Sequence, residues 1–128
     1  MKIQEMIAYC AAKPHTYIDY PYGDEPVCVR IRAGKRTPVF AQFWTKPANA
    51  TFRAAPGEAE FFRSVYPETI RRGYYCPPSQ QPYWNTVYLR DDESCEVPDD
   101  ELRMMLDHAY ADAVSRLPKY LQRELSGS

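Results

Sequence analysis

Residues 27–44 constrain this chain most. Val27, Val29 and Ile31 alternate with Cys28, Arg30 and Arg32, the two-residue period of a half-buried strand with its arginines on the outer face. Ala33-Gly34-Lys35-Arg36 follows as a hairpin turn in which Gly34 supplies backbone freedom. Thr37 to Trp44 returns as the partner strand, with Pro38 near its start, where a missing donor is tolerated. Strands linked this tightly run antiparallel, so a mainly antiparallel sheet is expected.

The flanking segments read as helices and further strands. Ile3, Met6, Ile7 and Cys10 fall at helical spacing, which predicts a short amphipathic helix over 2–12, closed before Pro14. Thr16 to Tyr22 is aromatic and β-branched, an extended stretch ending at Pro21-Tyr22-Gly23. Ala50 to Ala54 is a candidate fourth strand. Pro56 opens a helix through Tyr66, with Glu58 and Glu60 at its positive end, an apolar stripe of Phe62, Val65 and Tyr66, and Pro67 as its stop. Trp84 to Leu89 reads as the last strand. From Asp99 a longer helix carries Asp99, Asp100 and Glu101 in its first turn and Leu102, Met105, Leu106, Ala109, Ala113 and Leu117 as its stripe, ended by Pro118. Residues 119–125 form a candidate further helical turn, and Ser126-Gly127-Ser128 a frayed tail or an appended remnant.

This order predicts an α+β fold in two layers: a mainly antiparallel sheet of about five strands with helices on one face. The other face is left to solvent or to binding. A length of 128 residues suits one domain, assigned to 1–125. No apolar run approaches the roughly 20 residues that cross a bilayer, so no membrane association is expected. The opening Met1-Lys2-Ile3-Gln4-Glu5 lacks a signal-peptide pattern, which points to the cytoplasm. Cys10, Cys28, Cys76 and Cys95 are scattered without a Cys-x-x-Cys pair, the usage of free thiols in a reducing compartment rather than of two disulfides.

Net charge is −1, unevenly spread. Residues 26–90 carry ten Lys or Arg against three Glu, and residues 91–128 four basic against ten acidic side chains. The two segments either occupy different faces or mingle their charges on the folded surface.

No catalytic constellation emerges. His15 and His108 are the two imidazoles, and neither sits in a catalytic motif. Cys76 reads as an inert thiol rather than a nucleophile. Phosphate-cradling glycine loops are absent, and Asp91, Asp92, Glu93 and Glu96 lack the spacing of a calcium loop. Neither enzyme activity, cofactor nor metal is expected.

Two surfaces stand out instead. Arg30, Arg32, Lys35 and Arg36 cluster on the hairpin, whose tip can lie along phosphates as a wing, and Arg53, Arg71, Arg72 and Arg90 add to the basic middle. Against that stands an ordinary solvated hairpin paired with the acidic end. A pI near 6.1 argues against strong non-specific binding to nucleic acid. Tyr74, Tyr75, Pro77, Pro78, Pro82 and Tyr83, beside Trp84, make an aromatic, proline-rich loop suited to a protein partner or a small ligand, unless the rings simply pack on the sheet.

Motifs in order along the chain carry a family resemblance. They are Tyr9-Cys10, Lys13-Pro14, Pro21-Tyr22-Gly23, Phe52-Arg53 with Pro56, and Arg63 with Tyr66-Pro67. Trp84-Asn85-Thr86-Val87 follows, then Pro98-Asp99-Asp100-Glu101-Leu102 with Met105, Asp107 and Tyr110. Over residues 7–114 the chain resembles the MmcQ/YjbR family. The resemblance implies a two-layer α+β fold and DNA binding, read here as binding of double-stranded DNA, for which Arg30, Arg32, Lys35, Arg36, Arg53, Arg71 and Arg72 are the candidate residues. Tyr74, Tyr75, Tyr83 and Trp84 are the alternative, partner-binding set. Members typically carry Gly-Tyr-His-Met-Asn-Lys before His-Trp-Asn-Thr. Here Gly73-Tyr74 are followed by Tyr75-Cys76-Pro77-Pro78, and Tyr83-Trp84 replaces His-Trp. The Lys and both His of that loop are missing, so weaker DNA binding is expected.

Overall fold

The computed structural model describes residues 1–127. Its elements are α1 (Ile3–Ala11), β1 (Thr16–Asp19), β2 (Val27–Ile31), β3 (Val39–Thr45), β4 (Ala48–Arg53), α2 (Pro56–Val65), β5 (Ile70–Arg72), β6 (Trp84–Tyr88), α3 (Asp99–Ser115) and α4 (Lys119–Gly127), with a 3-10 turn at Gln81–Tyr83. The strands form one six-stranded sheet in the order β1-β2-β3-β4-β6-β5, every pair antiparallel. The fold is the expected α+β, with one strand more than the five anticipated. The addition is β5, only three residues long, which pairs with β6 through Ile70 opposite Val87.

Register sorts side chains onto two faces. Val29, Ala41 and Phe52 lie in one cross-strand row and Val27, Phe43, Ala50, Val87 and Ile70 in the next, all on the inner face. The pairing slips between Val29 and Arg30, and this bulge in the ladder turns Phe40 inward beside Ala41. Against this face α1 sets Ile3, Met6, Ile7 and Cys10, and α3 sets Leu102, Met105, Leu106, Ala109 and Ala113. These residues bury almost completely, each large one contributing about 1.5–3 kcal/mol. Their spacing is what makes both segments helices in this context, because isolated helices of such length are marginal. The Lys2 N–H donates to the Glu5 carboxylate at 2.8 Å, capping the start of α1.

Helix α2 departs from its anticipated stripe at one residue: Phe62 is buried and Tyr66 packs against the core, but Val65 does not. Ala59 and Phe62 are its buried residues, whereas Val65 is 47% exposed. At about 100° per residue Val65 lies well round the helix from Ala59 and so turns from the sheet, whereas the chain leaves the helix at Tyr66, whose hydroxyl donates to Glu101 at 2.6 Å. Helix α4 exceeds the single turn anticipated for 119–125 and carries Ser126 and Gly127 within it; Ser128 lies outside the described residues. Leu117 and Leu121 pack on Ala33, so α4 backs the β2–β3 turn.

That turn is a tight one. Ala33 and Arg36 exchange both backbone hydrogen bonds at 2.9 Å, and Gly34 takes φ +61° at the first central position, as a type II′ turn requires. All four cysteines are free. Among the described residues no helix is long and apolar enough to cross a membrane.

Candidate functional site

The outer face of the sheet is where the structure departs most from expectation. Cys28, Asn49, Thr51 and Thr86 point outward yet have no exposed surface, and Trp44 is nearly buried. The half-buried pattern anticipated for β2 therefore fails at Cys28. The cover comes from two connections: the β1–β2 segment through Tyr22, Glu25 and Pro26, and the β5–β6 loop from Gly73 to Tyr83.

Three features hold the β5–β6 loop down. Gly73 meets β6 so closely that an added Cβ would lie 2.5 Å from Cys76 Sγ and 2.8 Å from Trp84 Cβ, so only glycine fits. The Tyr74 N–H donates to Thr86 Oγ1 at 2.6 Å. Thr86 Oγ1 lies 2.7 Å from Thr51 Oγ1, which in turn donates to Asn49 Oδ1 at 3.2 Å. Thr51 has one hydroxyl proton and gives it to Asn49, so Thr86 must donate to Thr51. The result is a directed chain from the loop backbone into the sheet, each bond polarising the next. The Tyr74 ring then meets Trp44 edge-to-face, centroids 5.1 Å apart at 89°.

Between loop and sheet lies a cavity of about 560 Å³. Gln42 and Trp44 of β3, Arg53 of β4 and Trp84 of β6 form its floor; Tyr22, Pro26, Tyr74, Tyr75, Cys76 and Gln80 form its walls. Both tryptophans of the chain line it. Tyr75 is 82% exposed and held at φ +59°, a left-handed conformation unusual for a bulky residue. Its ring leans on Tyr74 at 4.3 Å, at the mouth of the cavity. Glu25 is committed to Thr45, accepting from its N–H at 3.0 Å and from its hydroxyl. Burial pushes the Cys76 thiol up, away from reactive thiolate. Among the described residues no three His, Cys, Asp or Glu gather into a metal-binding group.

The YjbR family model matches residues 11–112, most of the chain. The chain belongs to the YjbR family. A solved Deinococcus radiodurans protein with a DUF419 domain shares 22% identity, superposing with a TM-score of 0.83 over 98% of this chain and 88% of that one. A Pseudomonas syringae protein shares 16% identity, with a TM-score of 0.62 over 85% of this chain and 96% of its own. At these identities the likeness is one of fold. No curated protein matches the sequence.

In this YjbR domain the seven cations anticipated for DNA do not gather into one cluster. Arg30 is tied to Asp19, Nε to Oδ2 at 2.7 Å, and to the Thr37 carbonyl at 2.8 Å. Arg32 stacks over the Tyr17 ring at 4.2 Å. Lys35 and Arg36 are exposed at the turn. Arg53 is bonded to Asp112 at 3.0 Å and lies over Trp84. Arg71, 3.6 Å from Glu68, and Arg72, 3.5 Å from Gln81, belong to β5, four strands and roughly 19 Å from β2. The basic middle and acidic end of the sequence thus meet in ion pairs such as Arg53–Asp112. Of the aromatic set, Tyr74, Tyr75 and Trp84 line the cavity, while Tyr83 lies under Arg116, 5.0 Å from its guanidinium. Gln42, Trp44 and Tyr22 were missed. Trp44 was legible only as a strand residue, because nothing local says that a loop will fold over its face.

Proposed function

We propose that this YjbR domain is a non-enzymatic binding module that takes a small, flat, largely uncharged ligand in the outer-face cavity. The observation that carries this reading is the cavity itself: two tryptophans and three tyrosines converge on a concave space of ligand size, with amides at Gln42 and Gln80 to orient an occupant. Its only cation, Arg53, is already paired with Asp112. The lining holds no imidazole, so Cys76 has no base beside it, which favours binding over catalysis. Four free thiols favour a reducing compartment such as the cytoplasm.

Because both tryptophans line the cavity, indole fluorescence and the indole N–H signals in NMR report on it directly. Titration with adenosine, caffeine and quinoline should shift the Trp44 and Trp84 signals saturably for at least one probe. Tyr75→Gly relieves the left-handed backbone and should leave the fold at least as stable while weakening that probe several-fold. If no probe moves either indole in the folded protein, the reading fails.

DNA binding retains one supporting observation, the exposed Lys35 and Arg36 at the turn. Two phosphate contacts rather than four would lower the salt slope to roughly −2. Anisotropy of a labelled duplex that is unchanged by reversing both charges would remove this second reading.

A further inference from the structure

A second cavity, of about 530 Å³, opens at the end of the sheet between the β2–β3 turn and the C-terminal end of α3. It is lined by Arg36, Thr37, Pro38, Arg53, Ala113, Arg116 and Leu117, three arginines from three elements. One carboxylate accompanies them. Asp112 Oδ2 accepts from Arg53 Nε and from Arg116 Nε, each at 3.0 Å. Both arginines thereby commit only the Nε–H. Among the described residues their terminal nitrogens have no hydrogen-bond partner, and Arg36 has no ion pair. A guanidinium carries five N–H donors, so most of the donor capacity is unspent. The Arg53 and Asp112 side chains are largely buried, with exposures of 14% and 13%, and no unpartnered side-chain nitrogen among the described residues is fully buried, so the free donors face the open cavity.

A structural clamp explains part of this. Asp112 ties the end of β4 to α3, and Arg116 suits the negative end of a helix and covers the Tyr83 ring. The clamp does not account for Arg36, brought in from the turn by the tight Ala33–Arg36 pairing. Three guanidinium groups around one carboxylate leave two positive charges in excess.

We propose that this cavity is a binding site for a small tetrahedral oxyanion, free phosphate or a phosphate monoester, received by the terminal nitrogens of Arg36, Arg53 and Arg116. Arg53 lines both this cavity and the aromatic one, but the other lining residues differ and the site does not depend on the aromatic cavity's having a ligand. A duplex phosphodiester does not reach the largely buried Arg53, so small anions are the fitting occupants.

The test is titration of the full chain with inorganic phosphate and with methyl phosphate, against sodium chloride at equal ionic strength, reading the arginine Nε–H signals by NMR. The phosphates should shift Arg53 and Arg116 saturably and chloride should not; a preference for methyl phosphate identifies the monoester, equal affinity the free ion. Arg36→Gln, at an exposed residue without a pairing partner, should keep the fold and raise the dissociation constant by about tenfold. Asp112→Asn removes the competing anion and should tighten binding, an outcome a purely structural clamp does not produce; should that variant fail to fold, Arg36→Gln still decides. Phosphate shifts that match chloride, that persist in Arg36→Gln, or that appear only with duplex DNA overturn the proposal.

Discussion

Thr86→Val tests whether the β5–β6 loop is held as described. The substitution keeps shape and removes one hydroxyl, which accepts from the Tyr74 N–H and donates to Thr51 in a fully buried position. Valine leaves the Tyr74 N–H without a partner, while Thr51 keeps its bond to Asn49. An unmet buried donor costs about 1–3 kcal/mol, and the lost Thr86–Thr51 bond falls within the same range. For a domain of this size that lowers Tm by roughly 3–15 °C. The loss has a spatial signature as well. Freed of its anchor, Tyr74 lifts from Trp44, and tryptophan emission should shift to the red. Urea denaturation followed by fluorescence and by far-ultraviolet circular dichroism reads both. A stability within about 0.5 kcal/mol of the parent, with unchanged emission, would refute the account of the loop, because that is the range of a substitution with no special role.

Three further outcomes follow from the packing and the charges. Leu106→Ala removes a fully buried side chain from the middle of the α3 stripe and should cost about 2–5 kcal/mol by denaturation; an unchanged midpoint would mean that α3 is wrongly phased. Burial pushes the Cys10 thiol up to about 12 and raises Cys28 as well, so with a thiol reagent both should react only as fast as the protein unfolds, behind Cys76 and Cys95; four equal fast reactions would contradict their placement. At Asp107, desolvation works to raise the carboxyl, but hydrogen bonds from Lys13 and Tyr9 outweigh it and hold it below its usual range. Its stabilisation is therefore complete above about pH 4, the unfolded value, and is lost as pH falls through the lower folded one. The gap in stability between parent and Asp107→Asn should narrow between pH 5 and 2, and a constant gap in urea melts would disprove the assignment.

What could be read in advance divides along a physical line. Helices α1 and α3 and the β2–β3 hairpin were legible because their signals are local: Ile3, Met6, Ile7 and Cys10 share a face by spacing alone, and Gly34 marks its own turn. Strand β5 was not, since three residues are too few to display a period. Helix α2 was misread at Val65 because Ala59, a small residue, marks the inner face there, and its phase carries Val65 outward. The outer-face cavity was half legible. Tyr74, Tyr75 and Trp84 announced an aromatic surface, but Trp44 and Gln42 joined it through a loop whose anchor, Thr86, lies on another strand. The three-arginine cavity was illegible as a unit. Arg36, Arg53 and Arg116 come from a turn, a strand and a helix, and only the fold makes them neighbours.

The order of the strands carries a last consequence, for self-association. A sheet that does not close exposes two rows of unpaired backbone groups, and such rows template the growth of aggregates. Here the longer, mostly buried strands β3, β4 and β6 are interior, and the outermost positions fall to β1 and β5, four and three residues long. β5 ends in exposed Arg71 and Arg72, and β1 ends in Asp19. Strands so short, each with charge at its end, offer a second copy few backbone groups to extend.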